Sequence, residues 1–146
     1  MRPPVLEKSF EFPRGLGPLL EQSDFVVITL PLTPETKGLI DGAALKRMHK
    51  NAYLINVSRG ALIQEDALIE LLQQEAIGGA ALDVFQQEPL PIESPFYGLE
   101  NVIVTPHISG VFRDMVDRVV ALFLENLQRY RSGKTLFNLV DRHRGY

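Results

Sequence analysis

Phe25-Val26-Val27-Ile28-Thr29-Leu30 is an unbroken apolar, largely β-branched run. A run of this kind reads as a strand covered on both faces, the mark of a parallel sheet. Pro31 and Pro34 end it. Downstream, Ala52 to Val57 (AYLINV) reads as a second strand, closed by a Ser58-Arg59-Gly60 turn. Ala80 to Phe85 reads as a third, opened by Gly78-Gly79, and Val102 to Thr105 as a fourth, ahead of Pro106-His107. Helical spacing fills the gaps. Leu16, Leu19 and Leu20 suggest one or two turns, and Asp41 is placed to cap a short helix holding Ala44, Leu45 and Met48. Leu68, Leu71 and Leu72 fall at i, i+3 and i+4 on a helix from Glu65 to Gln74. A long helix spans about Val111 to Arg131, with an apolar stripe from Val116 to Tyr130 and Gly133 as its stop. Strands alternating with helices predict an α/β fold, a doubly wound and mostly parallel sheet with helices on both faces. The chain reads as one domain over 1–146, with a loop at 1–15, an α/β core at 16–134 and a polar tail at 135–146.

Composition narrows the function. With 45% hydrophobic and 23% charged residues and a net charge of −3, the chain has the balance of an ordinary globular protein. Lys and Arg are scattered, which argues against a nucleic-acid partner. There is no cysteine, hence no disulfide framework and no thiolate metal site. Met1-Arg2-Pro3-Pro4 lacks a signal-peptide core, and no apolar run approaches the roughly 20 residues that span a bilayer. A cytoplasmic protein without a membrane partner is the expectation.

The residues that carry chemistry lie at or beyond strand ends, the edge where open α/β sheets bind ligands. Arg59 follows a strand and precedes a glycine; it either grips a carboxylate with two parallel hydrogen bonds or is a surface turn arginine. Glu88 and His107 are either an acid–imidazole pair suited to proton transfer near neutral pH or two loop residues that never meet. Asp83 sits in an apolar run, where an unpaired carboxylate is costly; it bonds a ligand or caps a loop. His49 and His143 read as surface residues, no His spacing suggests a metal, and Ser58 lacks a nucleophile-elbow pattern.

Together, LPLTPETKGL from Leu30 to Leu39, NVSRGAL around Arg59, LDVF from Leu82, EPLP from Glu88 and TPHISG from Thr105 resemble the D-isomer-specific 2-hydroxyacid dehydrogenases in order and spacing. The resemblance runs from about Leu19 to Asp141. It implies a Rossmann-like fold and hydride transfer between NAD or NADP and a 2-oxo or 2-hydroxy acid such as glyoxylate or hydroxypyruvate. It implies that Arg59 binds the substrate carboxylate, that His107 is the acid/base, and that Glu88 hydrogen-bonds His107 and keeps it protonated during reduction. Asp83 would meet the nicotinamide end of the cofactor, with Leu30, Pro31, Thr36, Val57 and Gly110, beside Arg59 and His107, along its path.

Two parts of the family pattern are missing. No G-x-G-x-x-G turn occurs in the sequence, and no substrate domain accompanies the cofactor domain. The chain thus resembles the second half of a dinucleotide-binding domain, one expected to bind dinucleotide weakly without a phosphate cradle. In the 3-2-1-4-5-6 strand order, Phe25–Leu30 as third strand would lack its neighbours. Pairing with another chain, a homo-oligomer or a separate N-terminal half, or direct closure on the fourth strand would satisfy it. The competing function is a non-catalytic binding or oligomerisation module; an unrelated Rossmann-like transferase is the weaker third.

Overall fold

The structure is a computed structural model that describes residues 8–143. It divides into two compact units, with the boundary between His107 and Ile108.

The first unit is built on four parallel strands: β1 (Phe25–Ile28), β2 (Tyr53–Asn56), β3 (Gly79–Leu82) and β4 (Val102–Val104). They lie in the sheet in chain order, β1-β2-β3-β4. Of the resolutions open to Phe25–Leu30, the structure takes direct closure on the next strand, which corrects the 3-2-1-4-5-6 placement: β1 pairs with β2, Phe25 opposite Tyr53 and Ile28 opposite Asn56. The run is therefore not separated from the next strand by two others. Its backbone hydrogen bonds on that side are made within the chain, and among the described residues its other side is the sheet edge.

Three helices pack in this unit: α1 (Leu16–Gln22), α2 (Gly42–Leu45) and α3 (Glu65–Gln73). Asp41 caps α2, its Oδ1 accepting the Ala44 N–H at 2.8 Å. Leu68, Leu71 and Leu72 bury the predicted face of α3. That face joins Leu20, Leu45, Val26, Ile28, Leu54, Ala80 and Leu82 in one core cluster. Each fully buried leucine contributes about 1.5–3 kcal/mol.

The period-2 rule then decides what the other side of the sheet does. Val26, Leu54 and Ala80 are in register and buried, whereas Val27 and Ile103, at the two ends of the cross-strand row that runs through Ile55 and Ala81, are exposed at 54% and 67%. Phe25 and Tyr53 stack on that same open face with ring centroids 5.6 Å apart. The expectation that these strands are covered on both faces is thus corrected within this unit: its helices bury one face, and β1 alternates exposed and buried residues. A run that is apolar on both sides carries no sign of which side its own unit covers.

The second unit holds the long helix, α4 (Met115–Arg131), which begins four residues later than Val111 because Val111 and Phe112 are irregular and Arg113 and Asp114 form a turn. Gly133, at φ 65°, ends it in the left-handed conformation that glycine adopts without strain. The chain then folds back on the helix: the Asn126 side chain exchanges hydrogen bonds with the Phe137 backbone at 2.8 and 3.2 Å, and Arg129 covers the Phe137 ring at 4.0 Å. The stripe residues Val116, Val119, Phe123, Leu127 and Tyr130 are exposed. Among the described residues no helix is long and apolar enough to cross a membrane.

Candidate active site

Parallel strands all end on one side, so the segments that follow β1, β2, β3 and β4 gather at one rim. Each motif residue of the first unit belongs to one of them.

The turn after β2 is shaped from inside by Asn56, which is fully buried. Its Nδ2 donates to the Arg59 carbonyl at 3.0 Å and its Oδ1 accepts the Ser58 N–H at 3.1 Å. Ser58 in turn donates its hydroxyl hydrogen to the Leu30 carbonyl, joining this turn to the segment after β1. Gly60 lies so close to the chain after β3 that a Cβ would fall 1.9 Å from the carbonyl carbon of Phe85. Only glycine permits that approach. Arg59 is exposed, with Nη1 donating to the Ser58 carbonyl at 2.7 Å.

The turn after β3 carries Glu88. One carboxylate oxygen accepts the Phe85 N–H at 2.9 Å and the other meets Nδ1 of His107 at 2.7 Å. His107 stands beyond β4 at φ 53°, a left-handed conformation that costs a non-glycine residue on the order of 1 kcal/mol and is held in place by its surroundings. Its N–H donates to the Asp83 carbonyl at 2.8 Å. The hydrogen bond from His107 holds the Glu88 carboxyl below the usual glutamate range, helped by the Phe85 N–H and by the charges of His107 and Arg59. Glu65, at the start of α3, is pushed the other way by burial, against the opposing Gln86 N–H.

Arg59, Glu88 and His107 line one cavity of about 260 Å³. Glu88 and His107 also border a second, of about 630 Å³, whose walls include Asp83, Leu90, Tyr97 and Thr105. Asp83 is 3% exposed, and Thr105 donates its hydroxyl hydrogen to Oδ1 at 2.5 Å, tying the side chain to the segment that follows β4. Of the residues proposed to line a cofactor's path, Leu30 and Val57 are exposed just beyond β1 and β2. Thr36 is committed to its own loop, donating to the Pro31 carbonyl at 2.7 Å and accepting the Thr33 N–H at 2.8 Å. Gly110 belongs to the second unit and exposes open space. His49 lies 3.4 Å from Asp24, and His143 is exposed.

Sequence reading passed over three residues that build this rim: Asn56, Glu65 and Gln86. Asn56 had a signal, a lone amide in an otherwise apolar strand. Glu65 and Gln86 had none, since their pairing spans 21 residues.

Comparison with known proteins places the geometry in context. Residues 4–109 match the family model described as the NAD binding domain of D-isomer specific 2-hydroxyacid dehydrogenase. A glyoxylate/hydroxypyruvate reductase B of Pectobacterium carotovorum is 45% identical over 126 residues, 86% of this chain and 39% of the relative. A glyoxylate reductase of Korarchaeum cryptofilum is 41% identical over 86% of this chain and 38% of its own length. Among solved structures, a D-isomer specific 2-hydroxyacid dehydrogenase of Xanthobacter autotrophicus in complex with NADPH superposes with a TM-score of 0.85 at 40% identity. It is covered over 55% of its length by 92% of this chain. An NADPH-dependent glyoxylate/hydroxypyruvate reductase of Sinorhizobium meliloti gives 0.84 at 36% identity, covering 92% of this chain and 43% of the other. The chain therefore spans about two fifths of the curated relatives it matches. With the family model covering most of the sequence, the chain belongs to the D-isomer-specific 2-hydroxyacid dehydrogenase family.

Proposed function

We propose that this chain carries the proton-transfer and carboxylate-binding edge of an oxidoreductase that interconverts a small 2-oxo acid, such as glyoxylate or hydroxypyruvate, and its 2-hydroxy acid. The observation that carries the reading is the 2.7 Å contact between Glu88 and His107 on a cavity that Arg59 also lines. Arg59 offers parallel N–H donors to the substrate carboxylate. In reduction, protonated His107 gives its Nε2 proton to the oxygen on C2; in oxidation, neutral His107 takes the hydroxyl proton. Glu88, ionised at neutral pH, stabilises the imidazolium and fixes the ring through Nδ1.

NAD or NADP supplies or accepts the hydride when bound. The residues present suit its nicotinamide end: Arg59 and His107 with Leu30 and Val57 along the rim, and Asp83 behind it. The residues that would cradle the pyrophosphate are not among these. Neighbours crystallised with NADPH or NADP support the choice of cofactor.

Purified protein is assayed for NAD(P)H oxidation with glyoxylate, hydroxypyruvate and pyruvate, alone and with a separately expressed N-terminal half of a relative. Turnover in either setting that His107→Ala abolishes is the expected result. Turnover that survives His107→Ala overturns the assignment.

A second reading, a non-catalytic module that associates through its sheet, draws on the open apolar face bearing Phe25, Val27 and Ile103. Absence of turnover in both settings, with a stable oligomer on a sizing column, favours it.

A further inference from the structure

We propose that Glu65 is a positioning residue for the Glu88–His107 pair, holding the turn that carries Glu88 against the segment that carries Arg59. The proposal deepens the reading above and rests on Arg59, Glu88 and His107 being the working set.

Three ties join residues 60–65 to Phe85 and Gln86. Gly60 packs directly on the Phe85–Gln86 backbone. The Gln86 side chain donates Nε2–H to the Ile63 carbonyl at 2.8 Å. Glu65 Oε1 accepts the Gln86 backbone N–H at 2.5 Å. The preceding N–H, that of Phe85, is the one held by Glu88. Two consecutive amides of one tight turn are thus held by two carboxylates, Glu65 on one side and Glu88 on the other. The two amides lie in adjacent peptide planes that meet at the Phe85 Cα, so the Gln86 ties and the packing of Gly60 restrain the φ and ψ of Phe85 on which the anchor of Glu88 depends.

The electrostatics argue that this bond has a purpose beyond packing. The charged groups facing Glu65 are Asp66 on its own helix and Glu88 on the turn, both of like sign. A half-buried carboxylate between two acids is unfavourable, and its charge-assisted bond to Gln86 offsets part of that cost.

The test needs no turnover, so its failure is distinguishable from failure of the functional reading. In the full chain, the Glu88 carboxyl is titrated by carbon-13 NMR and Gln86 amide exchange is measured, in wild type and in Glu65→Ala, Glu65→Asp and Glu65→Gln. Alanine removes the acceptor, and aspartate withdraws it by one methylene while keeping the charge. In both, Gln86 should exchange about fivefold faster, the equivalent of one ordinary hydrogen bond. In both, the Glu88 titration should move up toward the usual glutamate range. Glutamine keeps an acceptor oxygen and removes the like charge, so Glu88 should stay at or below its wild-type position. If Glu65→Ala fails to fold, Glu65→Asp carries the same expectation. A Glu88 titration unmoved in the aspartate variant despite faster Gln86 exchange, or one raised in the glutamine variant, overturns the proposal.

Discussion

Nδ1 of His107 sits 2.7 Å from a Glu88 oxygen although 19 residues separate them in the chain. Two strand ends, those of β3 and β4, bring them together, and the pair lies beside an arginine delivered by a third, β2. Acid, imidazole and guanidinium therefore depend on a common scaffold, and disturbing it at different points has different expected outcomes.

Pairing lowers the Glu88 carboxyl below its ordinary value. The native state thus holds this proton less tightly than the unfolded chain. The stability it contributes is fully present above the ordinary glutamate range and is lost as pH falls through the lowered value. Thermal melts of wild type and Glu88→Gln should differ at neutral pH and converge as pH falls below the ordinary glutamate range. Parallel curves across the range count against the ion pair.

Glu65 has the opposite sign. Its carboxyl is raised by burial, so its contribution is most favourable below the ordinary value and is lost as pH rises through the raised one. Glu65→Gln should flatten that part of the stability profile. An unchanged profile in the variant would show that burial does not shift this group.

Gly60→Ala places a methyl group within 2.4 Å of three backbone atoms of Phe85 and Gln86. Backbone cannot step aside as a flexible side-chain tip can, so a cost of about 1–3 kcal/mol is expected. Denaturant unfolding measures it. Wild-type stability in the variant would mean the two turns are not in contact.

Asn56→Ala strips the Arg59–Ser58 turn of both its internal bonds at a fully buried position. About 1–3 kcal/mol of stability should be lost, with weaker binding of a small 2-oxo acid read by ligand-observed NMR. A loss under 0.5 kcal/mol would sink the inference that this amide shapes the turn.

The two faces of the sheet should respond unequally. Leu54→Ala, at a site with no exposure, should cost about 2–5 kcal/mol, whereas Val27→Ala, on the open face, should stay within about 0.5 kcal/mol. Equal losses in equilibrium unfolding would show that the open face is covered in solution.

Much of this protein could be read from local pattern. The strand and helix positions, the Asp41 cap, the Gly133 stop and the ordered motifs all follow from periodicity and short-range chemistry, which are properties of neighbouring residues. The strand order did not follow: β1 beside β2 depends on pairing between segments 28 residues apart, and apolar β-branched runs carry no address for their partner. Nor did the open sheet face follow, because whether an apolar side chain is covered depends on what packs over it. Arg59, Glu88 and His107 could be named from sequence, but the open question of whether they meet was answered only by the tertiary structure. The same holds for Asn56, Glu65 and Gln86, whose importance comes from backbone groups they reach across turns. Sequence determined which chemical groups this protein possesses and on which kind of element each sits. Only the folded chain decided their distances, because hydrogen bonding and burial act between residues that the backbone alone keeps far apart.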